Sequence, residues 1–272
     1  MNRRELWPMF GASLMGGMLG VPGAFAARSP AAIDAPSGID TLLTHVRMRA
    51  HPDGRAVYWW YSGTFYGQIT GQRTLPLLGI EGLSINRCTP AGDRVFAYSL
   101  REAGWFKDLA TGQVLDEWSN PLTGRIVTPK HYYSPQQTRF VGSTVEPVLT
   151  APMPGLEYVG YLGRPEVFAG SLWSSEELFV RTTDPSTGAG RVQTSLLTLQ
   201  AAAQDLGRSA TRFVPATMAY QTLASWRPWM EMGDVPGVIS WRLYGRKVAS
   251  VAELPPAIVA RTRTLHPQLF EG

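Results

Sequence analysis

Between Val57 and Tyr244 the chain is a succession of short apolar and aromatic runs cut by Gly, Pro and Ser, a texture that suits strands and breaks long helices. Val57–Tyr61 and Thr64–Ile69 flank Ser62-Gly63, which suggests an aromatic hairpin. Aromatic residues on both faces of the first run imply that neither side meets bulk water. In Leu75–Arg87, Glu81, Leu83, Ile85 and Arg87 share one parity. In Val95–Glu102, Phe96, Tyr98, Leu100 and Glu102 share a face while Arg101 points the other way. Gly155–Leu162, Glu166–Trp173, Leu178–Thr183, Phe213–Trp226 and Val238–Tyr244 continue the pattern. Trp226–Gly237 reads as a lid over a pocket or, more plainly, as a hydrophobic plug at one end of a barrel.

The densest stretch is Arg101–Tyr132, which reads as three strands joined by tight turns at Ala110-Thr111-Gly112 and Leu122-Thr123-Gly124. Helix signals are few. Ile39–Met48 has Asp40 near its start, and Ala201-Ala202-Ala203 favours helix in the second half of Leu196–Leu206. Ser250-Val-Ala-Glu253 is a capping box, and Pro255 and Pro256 suit the first turn of a helix through about Leu265. The expected fold is therefore mainly β, one domain over residues 39–272: a large antiparallel sheet closed or nearly closed into a barrel, with short peripheral helices and a C-terminal helix.

Residues 1–26 read as an export signal. Asn2-Arg3-Arg4-Glu5-Leu6 is charged, Trp7–Gly23 is modestly apolar, and Ala24-Phe25-Ala26 supplies a small-x-small cleavage pattern. The arginine pair favours the twin-arginine route over the ordinary secretory one. Residues 27–38 read as a disordered lead-in. The expected destination is the periplasm or the exterior, with no integral membrane segment after cleavage, because no later stretch has the length to span. Cys88 is the one cysteine, so no internal disulfide forms, and it reads as a buried thiol. A net charge of +4 without a basic run interleaved with aromatics argues against nucleic acid as a partner. The oligomeric state is not encoded in any pattern found.

No dinucleotide fingerprint, phosphate loop, nucleophile elbow or Cys-x-x-Cys occurs, so no cofactor is expected. His45, His51, His131 and His266 have no i, i+4 pairing, so no metal is expected either. Proton transfer remains. His131 suits acid/base work near neutrality, Glu102 is its candidate partner, and Arg87 and Arg101 could hold an anionic oxygen. Trp59, Tyr98, Tyr132 and Trp229 would line a pocket for a small, partly apolar molecule, an aromatic one included. The plainer alternative makes Arg101 and Glu102 structural ion pairs and His131 a strand-end residue. Function therefore stands between three readings. The first is a lyase, isomerase or hydrolase. The second is a periplasmic carrier of a lipophilic ligand. The third is an envelope-interaction protein, which would have no enclosed pocket and an exposed Trp226–Trp229 loop.

Glu81-Gly82-Leu83 with Asn86-Arg87, Ser99-Leu100-Arg101-Glu102, Asp108–Leu115, Trp118–Gly124, His131, Trp226–Gly237 and Gly245-Arg246-Lys247 together resemble the bacterial family called domain of unknown function 1838. The resemblance covers most of the mature chain and implies no activity. In that pattern an Asn-Asp-Pro follows the histidine. Here Tyr132-Tyr133-Ser134-Pro135 stands there, which removes a carboxylate that could have paired with His131.

Overall fold

The aromatic run at Val57 does not turn. β1 (Val57–Gln68) passes straight through Ser62-Gly63 as a single strand of 12 residues, which corrects the expected hairpin. A Cβ at Gly63 would collide with the Arg242 carbonyl on the neighbouring strand, so this glycine permits close strand approach rather than a bend. The computed structural model describes residues 40–142, 144–147, 155–183, 190–207 and 213–271; the expected export signal and lead-in lie outside them. After β1 come β2 (Leu75–Gly92), β3 (Val95–Lys107), β4 (Trp118–Ser119), β5 (Ile126–Val127), β6 (Tyr132–Val141) and β7 (Val145–Pro147). Then follow β8 (Leu156–Leu162), β9 (Glu166–Phe168), β10 (Ser171–Thr183), β11 (Gly190–Ala202), β12 (Thr217–Ala224) and β13 (Val238–Val248).

Eleven of these strands make one antiparallel sheet in the order β7-β6-β3-β2-β1-β13-β12-β11-β10-β8, with β9 on β10. β4 and β5 pair only with each other. The three strands suggested between Arg101 and Tyr132 therefore shrink to the end of β3 and two short pieces. Gly112 and Gly124 do turn, each with φ 70°. Just before each glycine, however, the Asp108 and Asn120 side chains capture the N–H groups of Thr111 (2.7 Å) and Leu122 (2.9 Å), so the chain coils instead of extending.

The sheet curls strongly. β1 and β10 are four positions apart in the sheet order, yet Val57 packs in one cluster with Leu178, and Trp59 packs with Leu172 and Leu199. It does not close into a barrel. Among the described residues no ladder joins the outermost strands β7 and β8, and Thr144, just before β7, makes an isolated bridge to Tyr161.

α1 (Thr41–Arg49) sits on the enclosed face. Asp40 caps it by accepting the Leu43 N–H at 3.0 Å. Leu42 and Val46 pack on Val57 and Tyr98, at the start of β1. At the other end of β1, Phe65 meets Phe106, Trp118, Met230 and Met232. The segment Trp226–Gly237 is thus a plug, and Asn120 Nδ2 fixes it by donating to the Met230 carbonyl at 2.8 Å. Outside, α3 (Pro256–Leu265) covers Leu83, Ile85, Ala103 and Trp105. The capping box closes a 3-10 turn at Val251–Glu253, one step before α3 begins. α2 (Ala203–Leu206) ends β11 in a single turn, so strand persists through the three alanines further than their helix propensity suggests.

Lys247 ties α1 to the sheet. Its Nζ donates to the carbonyls of Arg47 (2.6 Å) and Ala50 (3.1 Å), two of the acceptors a helix C-terminus leaves unmet. Burial, and Arg47 beside it, draw the Lys247 pKa from 10.5 down to about 7. The folded chain then releases this proton before the unfolded chain does, so stability rises as pH goes from about 7 to about 10.5. Lys247→Met should cost about 1–3 kcal/mol by stranding two carbonyls, and should flatten that pH dependence. Thermal melts of both proteins across the window check both effects.

Candidate functional site

Tyr61, Gly82 and Gly104 stand in register across β1, β2 and β3. With no side chain at either glycine, the Tyr61 ring lies flat over both strands. A Cβ at Gly82 would run into the phenol ring, and one at Gly104 would come 2.8 Å from the phenol oxygen. The hydroxyl is thereby delivered beside Glu102, two residues from Gly104 on the same face of β3. The Glu102 carboxyl takes hydrogen bonds from Tyr61 and Tyr132. Burial raises its pKa above the ordinary 4.5, with those bonds and the Arg139 and Arg49 charges pulling the other way. Burial and Glu102 together push the Tyr61 hydroxyl well above its ordinary range. Tyr132 is 41% exposed, so it links the carboxyl to solvent.

A second acid on the enclosed face is handled differently. Glu176, 1% exposed, is paired with Arg49 of α1 and with Arg139 of β6 at 3.1 Å. His45 completes the group: Nε2 lies 3.3 Å from the Glu176 carboxylate and Nδ1 lies 3.0 Å from Ser174 Oγ. Burial and Arg49 lower the His45 pKa to about 3, so its ring is neutral. Arg49 also stacks on Tyr98, its Cζ 4.3 Å from the ring centre. Glu176 is therefore saturated by cations, whereas Glu102 is held by neutral phenols. That difference marks Glu102 as the carboxyl available for proton transfer.

Between β12 and β13, Arg227 faces Tyr132 and Tyr220. Its Cζ lies 4.7 Å above Trp241 and its Nη2 donates to Gln193 Oε1 at 3.2 Å. Among the described residues no three His, Cys, Asp or Glu side chains converge as a metal site would require.

The structure separates the acid/base set suggested by the sequence. His131 does not meet Glu102. Its Nδ1 accepts the Phe106 N–H at 3.1 Å and its ring also bonds to the Leu115 backbone, so it clamps β3 to the following coil. Burial and Arg261 lower its pKa, with Asp116 opposing. Arg101, adjacent to Glu102, points to the outer face and donates to the Gln268 (3.5 Å) and Glu271 carbonyls. Arg87 likewise faces away and donates to Gly54 at 3.3 Å. Of the pocket residues, Tyr132 adjoins Glu102. Tyr98 packs under Arg49. Trp59 donates to the Arg49 carbonyl at 2.8 Å, and Trp229 packs in the plug against Phe106 and Trp118. Tyr61, Arg227 and the glycine pair escape a sequence reading. The one available signal is glycine in the inward parity of two adjacent strands.

A family model described as "Protein of unknown function (DUF1838)" matches residues 54–271. The chain belongs to this family. No curated protein matches it. Among solved structures, a triple mutant of the Rhodopseudomonas blastica porin is 9% identical over 71% of this chain and 99% of its own, with a TM-score of 0.19, and carries no argument about fold or role. In this DUF1838 member no helix among the described residues is long and apolar enough to cross a membrane. Gly82→Ala should destabilise it by about 1–3 kcal/mol through overpacking on Tyr61. Tyr61→Leu in the same chain should return part of that loss, and non-additive denaturation midpoints of the two single variants and the double would establish the contact.

Proposed function

We propose that this DUF1838 member is an exported acid/base enzyme acting on a small, partly apolar molecule, with Glu102 as the proton-transferring group. The supporting observation is one carboxyl, raised in pKa by burial and held by two phenols, with a route to solvent through Tyr132. Tyr61 orients the carboxyl and Tyr132 stands on the substrate side. His131, Arg101 and Arg87 hold the scaffold. Lyase, isomerase and hydrolase chemistry all use such a group. The packed Trp226–Gly237 plug favours a pocket over an envelope-contact surface.

A substrate-independent test incubates a periplasmic small-molecule extract with the full chain in D2O and follows all masses. The wild type should produce at least one new or deuterium-shifted mass, with a rate that rises with pH through a limb above the ordinary glutamate value of 4.5. Glu102→Gln should lower that rate by about 100-fold or more, and Tyr61→Phe should lower it less. If Glu102→Gln retains a ligand in native mass spectrometry and the wild type changes no mass, the protein is a carrier and the catalytic reading falls. For export, the mature chain recovered from the periplasm should begin at Ala27, and replacing Arg3 and Arg4 with lysine should leave precursor behind. Correct export of that double variant would remove the twin-arginine route.

A further inference from the structure

Most inward arginines of this chain have a visible use. Arg49 and Arg139 share Glu176, and Arg47 donates to the carbonyls of Leu206 (2.5 Å) and Asp205 (3.3 Å). Arg227 is different. Its plane stacks on Trp241 and one nitrogen bonds to the neutral Gln193 amide, but no carboxylate pairs with it among the described residues. Arg191 adds a second positive charge nearby rather than a compensating one, and Tyr132 and Tyr220 stand on the side toward Glu102. A guanidinium has five N–H donors in a planar fork. With its face on an indole and one donor occupied, an edge remains that matches a planar carboxylate. A half-buried cation is costly without a counter-charge, and a bound anion supplies one.

We infer that Arg227 is the recognition residue for the carboxylate of the ligand, and that the ligand is a small organic acid whose apolar or aromatic body lies along Tyr132 and Tyr220. Placing the reacting atom next to Glu102 rests on the acid/base reading; the carboxylate site does not. Tyr132 stands beside Glu102 and within electrostatic reach of Arg227, so a molecule gripped by Arg227 extends toward Glu102 past this aromatic side chain. This segment then has two tasks. Met230 and Met232 anchor the plug, and Arg227, a few residues before them, holds its guanidinium over Trp241.

The test is a calorimetric and tryptophan-fluorescence titration of the full chain with sodium benzoate, benzamide and inorganic phosphate. Benzoate should bind saturably, and benzamide and phosphate should each bind at least about tenfold more weakly, the order contributed by one charge-assisted pair of matching shape. Arg227→Gln should weaken benzoate by about tenfold or more and leave benzamide unchanged, while Arg227→Lys, which keeps charge but not the fork, should fall between. Glu102→Gln should retain benzoate binding, because that residue serves the reaction and not the anchor. Absence of saturable benzoate binding, equal binding of benzamide or phosphate, or an unchanged affinity in a folded Arg227→Gln would each overturn the assignment. Should Arg227→Gln fail to fold, the three-probe comparison on the wild type decides. Benzoate binding that depends on Arg227 in a protein with no Glu102-dependent turnover would keep the carboxylate site and remove the enzyme.

Discussion

Glu176 is where the curled sheet is fastened. The outermost strands meet through the single Thr144–Tyr161 bridge among the described residues, far too little backbone pairing to hold so long a sheet in a curl. Glu176 on β10 binds Arg139 on β6 across that seam and Arg49 on α1 from within. One carboxylate therefore joins both flanks of the sheet and the helix that fills it. Such a cluster costs desolvation for every charge, and removing one partner leaves the rest uncompensated, at roughly 3–5 kcal/mol. Its value lies in specifying one register of closure, which apolar packing of Leu42, Val46 and Leu178 alone would leave loose.

The same arrangement determines how the enclosed acids behave. Two cations committed to Glu176 cannot be committed to Glu102, which feels them only at a distance while the loss of water dominates. His45, in the same cluster, is driven far toward neutrality and serves as a hydrogen-bonding strut. Inside one curled sheet, the carboxyl paired with cations and the carboxyl set among phenols are thus kept apart, both in the inward parity of their strands.

Parity also explains why the acid/base set read from the sequence came apart. Successive strand residues face opposite sides, so Arg101 and Glu102 are as far apart in environment as neighbours can be. Arg101 and Arg87 tether surface segments by their carbonyls, and His131 bridges Phe106 and Leu115. Density of ionisable residues along the chain marked a place of heavy hydrogen bonding, much of it serving the coil between β3 and β6 rather than a pocket.

What the sequence determined by itself was local. The two-residue period of β2 and β3, Asp40 at the head of α1, the Ser250–Glu253 capping box and the turn glycines at 112 and 124 all depend on neighbours within a few residues, and each was legible. The shared face of Tyr98, Leu100 and Glu102 was legible for the same reason, and with it half of the candidate site. Tertiary structure decided the rest. Whether Gly63 bends the chain or admits Arg242 depends on a strand some 180 residues away. Whether Tyr61 reaches Glu102 depends on Gly82 and Gly104 meeting it in register, and whether Arg227 faces Tyr132 depends on the plug being seated. These are contacts between distant segments, and a side chain's partner across a sheet is fixed by register and curl, which no short window of sequence contains.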